Sequence, residues 1–238
     1  MEHEHTPEAI KERLRAGPRH SYLRDWVYGG IDGSVTTFAV VAGVVGAQLS
    51  TGVILIIGAA NIIADGFSMA ASNFLGTRTE HEEIKNIEAI ERRHIKDFPE
   101  GEREEVRQIF RDKGFEGETL QRIVDSITSN REIWVRTMLT EEYGLPREVR
   151  SPWLAAASTF SAFMLCGLVP LLPFIFGAAN AFLLSIVLTG LVFFVIGSIK
   201  SIWSTVAWWR SGLETLIVGS MAAALAYAAG IVLKGFGG

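Results

Sequence analysis

The chain has 238 residues, 49% of them apolar, a net charge of −4 and one cysteine, Cys166. One cysteine excludes an intrachain disulfide and any multi-cysteine metal centre. The charge is segregated: 18 of 26 acids and 14 of 22 bases lie between residues 78 and 150, and long charge-free apolar runs elsewhere are membrane composition, which excludes an ordinary soluble domain.

Residues 1–25 read as a charged N-terminal segment. Charges crowd it before any apolar run, so it has no signal-peptide core. His3 and His5, in the opening Glu-His-Glu-His, belong to a disordered tail on this reading. Apolar runs then predict spans at 26–47 and 53–75, each about 20 residues and long enough to cross a bilayer core as a helix. Three more are predicted at 153–176, 181–199 and 213–233. Pro170 and Pro173 should kink or end the third span. Cys166 inside it reads as a small buried hydrophobe. At the start of the fifth span, Glu214 is placed to pair with Arg210 at i, i+4.

Five spans put the termini on opposite sides. All Lys and Arg except Lys234 fall on the side of the N-terminus, the middle insertion and the 200–210 link. By the positive-inside rule that side is cytosolic, with Arg19, Arg24, Arg78, Arg147, Arg150, Lys200 and Arg210 as the votes nearest span ends. The insertion, 78–150, is too long for a plain loop. Three helices are expected in it: 79–95, continuous with span two; about 100–113, closed by Gly114; and about 117–143, closed by Gly144, with Ser129-Asn130 as a place where it can break. The predicted fold is thus an all-α membrane protein of five transmembrane helices with a three-helix cytosolic insertion between spans two and three. The domains are 1–25, 26–77, 78–150 and 151–238.

Two carboxylates, Asp32 and Asp65, sit within spans, where an acid costs kilocalories and marks a cavity, a partner or an ion path. Asp32 so near its span's start also reads as an interfacial residue. Asn61, Asp65, Ser68, Met69 and Ser72 share one face of span two. Carboxylate and amide oxygens beside a thioether suit Fe²⁺, without excluding Mn²⁺, Co²⁺ or Zn²⁺. Asn61 and the serines also fit plain interhelical hydrogen bonding.

The insertion offers Glu80, Glu83, Glu88 and Glu91 on its first helix, Glu102 and Glu105 on its second, and Met138, Glu141 and Glu142 late in its third. Glu88/Glu91 and Glu102/Glu105 are E-x-x-E pairs. They converge if the break at Asp97–Pro99 folds the second helix back, and several carboxylates then bind a divalent cation. The interleaved Arg92, Arg93, Arg103 and Arg107 equally fit a salt-bridged surface. Glu91-x-x-His94 matches the motif of di-iron bundles, but such a site needs a second copy, which the insertion lacks.

The run Tyr28-Gly-Gly-Ile-Asp-Gly-Ser-Val-Thr-Thr-Phe-Ala-Val-Val-Ala-Gly43 resembles the first-span signature of the vacuolar iron transporter family, and Ala64-Asp-Gly-Phe-Ser-Met-Ala-Ala70 resembles its second. Lys113-Gly-Phe115, Thr137-Met-Leu-Thr-Glu-Glu-Tyr-Gly-Leu145 and Pro170-Leu-Leu-Pro173 fit as well. The resemblance implies a homodimer with its pathway at or near the dimer interface. It also implies Fe²⁺ moved out of the cytosol against protons, and an insertion that collects metal for the pore. Carried over by position, Asp32 and Met69 match pore metal residues. Glu102, Glu105, Met138 and Glu141 match insertion ligands, with Glu88 and Glu91 as the first-helix pair and Glu80, Glu83 and Glu142 as further candidates. Asp65, Asn61 and Ser72 support the path or relay protons. Two departures stand out: Asn73 replaces a family glutamate, and Thr137 replaces one of two adjacent methionines.

The expected function is divalent metal transport, Fe²⁺ foremost and Mn²⁺ second, by proton antiport and without enzymatic activity. The metal is substrate and insertion ligand, and no tightly bound cofactor or nucleic-acid partner is expected. The membrane is the plasma membrane for a prokaryotic chain or the vacuolar membrane for a eukaryotic one. The alternatives are a membrane-anchored ferritin-like di-iron oxidase and a metal-sensing scaffold without flux.

Overall fold

A computed structural model describes residues 4–16, 21–146, 149–203 and 205–234. His3, Arg19 and Arg147 lie outside the described residues. By internal contacts the chain divides into two units: Met1–Arg19 with Gly76–Arg150, and His20–Leu75 with Ser151–Gly238. The described residues form helices joined by short turns and loops, with no strand among them.

In the second unit, α2 spans Leu23–Gly46, and α3, Thr51–Asp97, contributes residues 51–75. Next come α7 at Pro152–Leu168, a 3-10 turn at Val169–Leu171, and α8 at Leu172–Ile175. The unit closes with α9 at Ala181–Lys200, a 3-10 turn at Ser201–Trp203 and α10 at Trp208–Lys234. Five stretches are long and apolar enough to cross a membrane. Pro170 and Pro173 do what their chemistry dictates. Each lacks an N–H and its ring crowds the preceding turn, so α7 tightens into the 3-10 turn before α8.

Against lipid, an apolar face gains little from burial, so helix contact rests on close packing. Gly29 and Gly33 provide it. A Cβ at Gly29 would lie 2.3 Å from the Thr159 carbonyl oxygen, and one at Gly33 would lie 2.5 Å from that of Phe163. α2 and α7 therefore touch backbone to backbone. The Ser34 hydroxyl donates to the Gly30 carbonyl at 2.9 Å and reaches the Cys166 carbonyl at 3.3 Å. Val41, Val44, Ile54, Ile62, Leu171 and Phe174 form the largest apolar cluster here. Cys166 is buried, as expected. Glu214 pairs with Lys200 at 3.4 Å, while the Arg210 guanidinium lies over the Trp209 ring, 5.1 Å from its centroid. The expected Arg210–Glu214 pair is thus corrected. The 3-10 turn brings the end of α9 beside the start of α10, and an exposed pair at either place is worth little.

The first unit opens with α1, Pro7–Ala16, a helix within the charged N-terminal segment. The Thr6 hydroxyl accepts from the Ala9 N–H at 3.3 Å, and Pro7 takes the first helical position, where its missing N–H costs nothing. The unit continues with residues 76–97 of α3, then α4 at Pro99–Asp112, α5 at Gly117–Thr128 and α6 at Arg131–Glu141. Phe98, with φ −134° and ψ 51°, breaks α3 from α4 because the residue before a proline avoids the helical region. Gly114, at φ +90°, ends α4. The helix expected over 117–143 breaks at Ser129-Asn130, the place marked for it, into α5 and α6. The Asn130 side-chain oxygen accepts from the N–H groups of Glu132 and Ile133, capping α6 and separating it from α5. Such a cap contributes about 1 kcal/mol.

Apolar residues at helical spacing on these helices close a small core of Ile95, Val106, Leu120, Val124, Trp134, Val135 and Met138. Each fully buried side chain of this kind stabilises by about 1.5–3 kcal/mol. That core fixes which face of α3 and α4 turns inward, and two glutamates share that face.

Candidate metal site

Glu91 lies one turn before Ile95, and Glu102 one turn before Val106. The i, i+4 spacing puts each acid on the buried stripe of its helix. Glu91 is 1% exposed and Glu102 5%. The break at Phe98 folds α4 back so that these acids meet. One ligand atom from each of Glu91, His94 and Glu102 lies within 4.8 Å of the others. His94 Nδ1 stands 3.5 Å from Glu102 Oε1.

Both Glu91 oxygens and Glu102 Oε2 are buried without a hydrogen-bond partner. A buried carboxylate without donors normally shifts toward its neutral form. Burial does this to Glu91, and a proton shared with Glu102 and the charges of Glu102, Glu142 and Glu105 add to it, so its carboxyl is pushed up to about 8. Burial and the Glu102 charge raise Glu105, with His94 opposing. Burial and the charges of Glu105 and Glu102 raise Glu142, which the Tyr143 hydroxyl partly offsets. Tyr143 is itself raised, first by burial and then by Glu142, Glu91, Glu102 and Glu105. When both are ionised, Glu91 and Glu102 have no donor between them. One shared proton or one cation supplies what is missing.

From the expected set the structure therefore brings Glu91 and Glu102 together, with Glu105 and Glu142 within electrostatic reach. The others sit elsewhere. Glu88 is held by Arg92 at 2.8 Å, and Arg92 also makes a two-pronged contact at 2.6 Å to Glu132. Glu141 pairs with Lys113. Met138 is wholly buried in the apolar core. Glu80 and Glu83 are exposed on α3. The expectation for the transporter left out His94, although Glu91-x-x-His94 had marked it in another role.

In the membrane-type unit, Asp32 lies nine residues into α2, roughly 13 Å along its axis, so it is no helix-start residue. It is half-buried and within electrostatic reach of Asp65. The Asn61 amide donates to the Asp65 carboxylate, and the Thr36 hydroxyl donates to the Asp32 carbonyl at 2.9 Å. Asp65, Ser68 and Ser72 are exposed, with Asn61 and Met69 half-buried beside them. Asp25, which sequence reasoning passed over, is 4% exposed. The Asn73 amide donates to the Asp25 carboxylate at 3.0 Å and to the Thr159 hydroxyl at 2.7 Å, and reaches the Ala155 carbonyl at 3.3 Å. That is the use of an amide at position 73. A glutamate there would set a second acid against Asp25.

These helices define a multi-pass, all-α membrane protein that carries a separate acidic helical unit. Residues 23–231 match the model of the VIT family. The chain is 32% identical over 225 residues to the "Vacuolar iron transporter" of Toxoplasma gondii, covering 90% of this chain and 74% of that one. It is 30% identical over 208 residues to "Vacuolar iron transporter 1" of Arabidopsis thaliana, covering 86% and 83%. It is 32% identical over 209 residues to "Vacuolar iron transporter 1" of Tulipa gesneriana, covering 87% and 85%. The chain belongs to the VIT family.

Proposed function

We propose that this protein transports divalent metal ions, Fe²⁺ first and Mn²⁺ second, out of the cytosol in exchange for protons. Ion transport follows from the family and from relatives named as iron transporters. The observation that carries the pathway is Asp32 and Asp65, carboxylates on two apolar helices within electrostatic reach of one another. Two acids so placed hold a cation when ionised and release it when protonated, which is the chemistry of a proton-coupled carrier. Met69 supplies a soft ligand beside them; Asn61 and Ser72 line the same face. Asp65, Ser68 and Ser72 are uncovered in a single chain, and a carboxylate facing lipid is costly, so a homodimer that covers this face completes the path.

The acidic unit, on the cytosolic side, receives the ion at Glu91, Glu102, Glu105 and Glu142. Glu88, Met138 and Glu141 join only if their present partners let go. A single Glu-x-x-His among the described residues does not build a di-iron oxidase, so we assign no enzymatic role. The membrane is the plasma membrane in a prokaryote and the vacuolar membrane in a eukaryote. Proteoliposomes loaded with a pH gradient test the proposal. Fe²⁺ uptake should follow the gradient and carry protons the other way. Metal binding with no flux would instead mean a sensor.

A further inference from the structure

The acids of the receiving site do not stand alone. His94 follows Glu91 by three residues, so the two project from one side of α3. Its Nδ1 is 3.5 Å from Glu102 Oε1, long for a hydrogen bond but close to the spacing of two ligands on one ion. Ligands about 2.1 Å from a metal lie about 3.0 Å apart when adjacent and about 4.2 Å apart when opposite. The trio, all within 4.8 Å, reaches that range by small side-chain rotations. Three oxygens of Glu91 and Glu102 are buried without a hydrogen-bond partner. His94, 39% exposed at its side chain, forms the open edge of a site whose floor is Glu91.

We propose that His94 is a metal ligand in this chain, and that its imidazole makes the acidic unit prefer Co²⁺, Fe²⁺ and Zn²⁺ over Mn²⁺ and Mg²⁺. This rests on the reading of Glu91 and Glu102 as a metal site. A site of carboxylates alone suits hard cations, and Mn²⁺ and Mg²⁺ are hard. Imidazole is a borderline donor whose affinity climbs from Mn²⁺ through Fe²⁺ to Co²⁺ and stays high for Zn²⁺. One nitrogen among several oxygens therefore tilts the ranking without excluding Mn²⁺. A histidine that served only as a structural partner of Glu102 would leave the ranking alone.

The test is calorimetric titration of the full chain in detergent with Co²⁺ and with Mn²⁺. Wild type, His94→Glu, His94→Gln and Glu91→Gln are compared at one pH. The preference for Co²⁺ over Mn²⁺ should fall on the order of tenfold in His94→Glu, which keeps a ligand, and in His94→Gln, which keeps the bulk. Pulsed EPR on bound Mn²⁺ should show imidazole nitrogen coupling in wild type and none in either variant. An unchanged ratio and unchanged nitrogen signal in both His94 variants, with binding weakened in Glu91→Gln, would overturn the role of His94 and leave the acidic site standing. Co²⁺ binding in Glu91→Gln as tight as in wild type would overturn the site, and the proposal with it.

Discussion

Both units bury acids, but they treat them differently. In the membrane-type unit Asp25 is held by the Asn73 amide, which also binds Thr159 and so ties α2, α3 and α7 together. In the acidic unit Glu91 is more deeply buried, yet neither of its oxygens has a donor. The surrounding residues are Glu102, Glu105 and Glu142, which repel it. An acid supplied with donors is part of the scaffold. A buried acid without donors favours a proton or a cation, which offsets the cost of its burial. Burial alone does not mark a functional acid; its partners do.

The largest expected effect breaks the membrane side of that contrast. Asp32→Ala should reduce Fe²⁺ flux in proteoliposomes to the background leak while leaving metal binding by the acidic unit intact. Flux at the wild-type rate would remove Asp32 from the path. Next, Glu91→Gln should weaken Co²⁺ binding by the full chain by about 10–100-fold. The same change should stabilise the metal-free protein near pH 8 by about 1–3 kcal/mol, since an amide can donate to Glu102 where a carboxylate cannot. Asn73→Ala should do the reverse in the other unit, costing about 1–3 kcal/mol in thermal or denaturant unfolding by removing a donor from the buried Asp25.

The pH dependence sharpens the comparison further. Glu91 is pushed up to about 8 in the folded protein, against an ordinary 4.5. A raised carboxyl contributes stability below pH 4.5 that is lost progressively as pH rises through about 8. Metal-free protein should therefore unfold more readily at pH 9 than at pH 6, with the loss confined to probes in the acidic unit such as Trp134. The smallest effect belongs to Glu88→Ala. Its carboxylate already serves the half-exposed Arg92, so metal affinity should barely move, and stability should change by about 0.5 kcal/mol or less.

The spans were legible because apolar runs of bilayer length have few other meanings, and Pro170 and Pro173 announced the end of α7. The break at Ser129-Asn130 was legible too, because an Asn side chain can cap the helix that follows it. Sequence analysis assigned no helix to residues 7–16, which α1 occupies. The site was half legible. Sequence can say that Glu88 and Glu91 share a face, but not which one the Ile95 and Val106 packing turns inward. It took the core to choose Glu91 over Glu88. In α6 the choice fell differently, since Glu141 is drawn to Lys113 while Glu142 stays near the cluster. Asp25 was missed because its meaning depends on Asn73, 48 residues away.

The central claim is that Glu91 and Glu102 are left unpartnered so that a cation can complete them. Thermal unfolding of the full chain at pH 8, with and without Co²⁺, measures this directly. Co²⁺ should raise the melting temperature of wild type in proportion to the logarithm of its concentration, and Glu91→Gln should move the onset of that rise to about 10–100-fold higher Co²⁺. A wild-type melting temperature that ignores Co²⁺, or a Glu91→Gln protein that responds as wild type does, would contradict it.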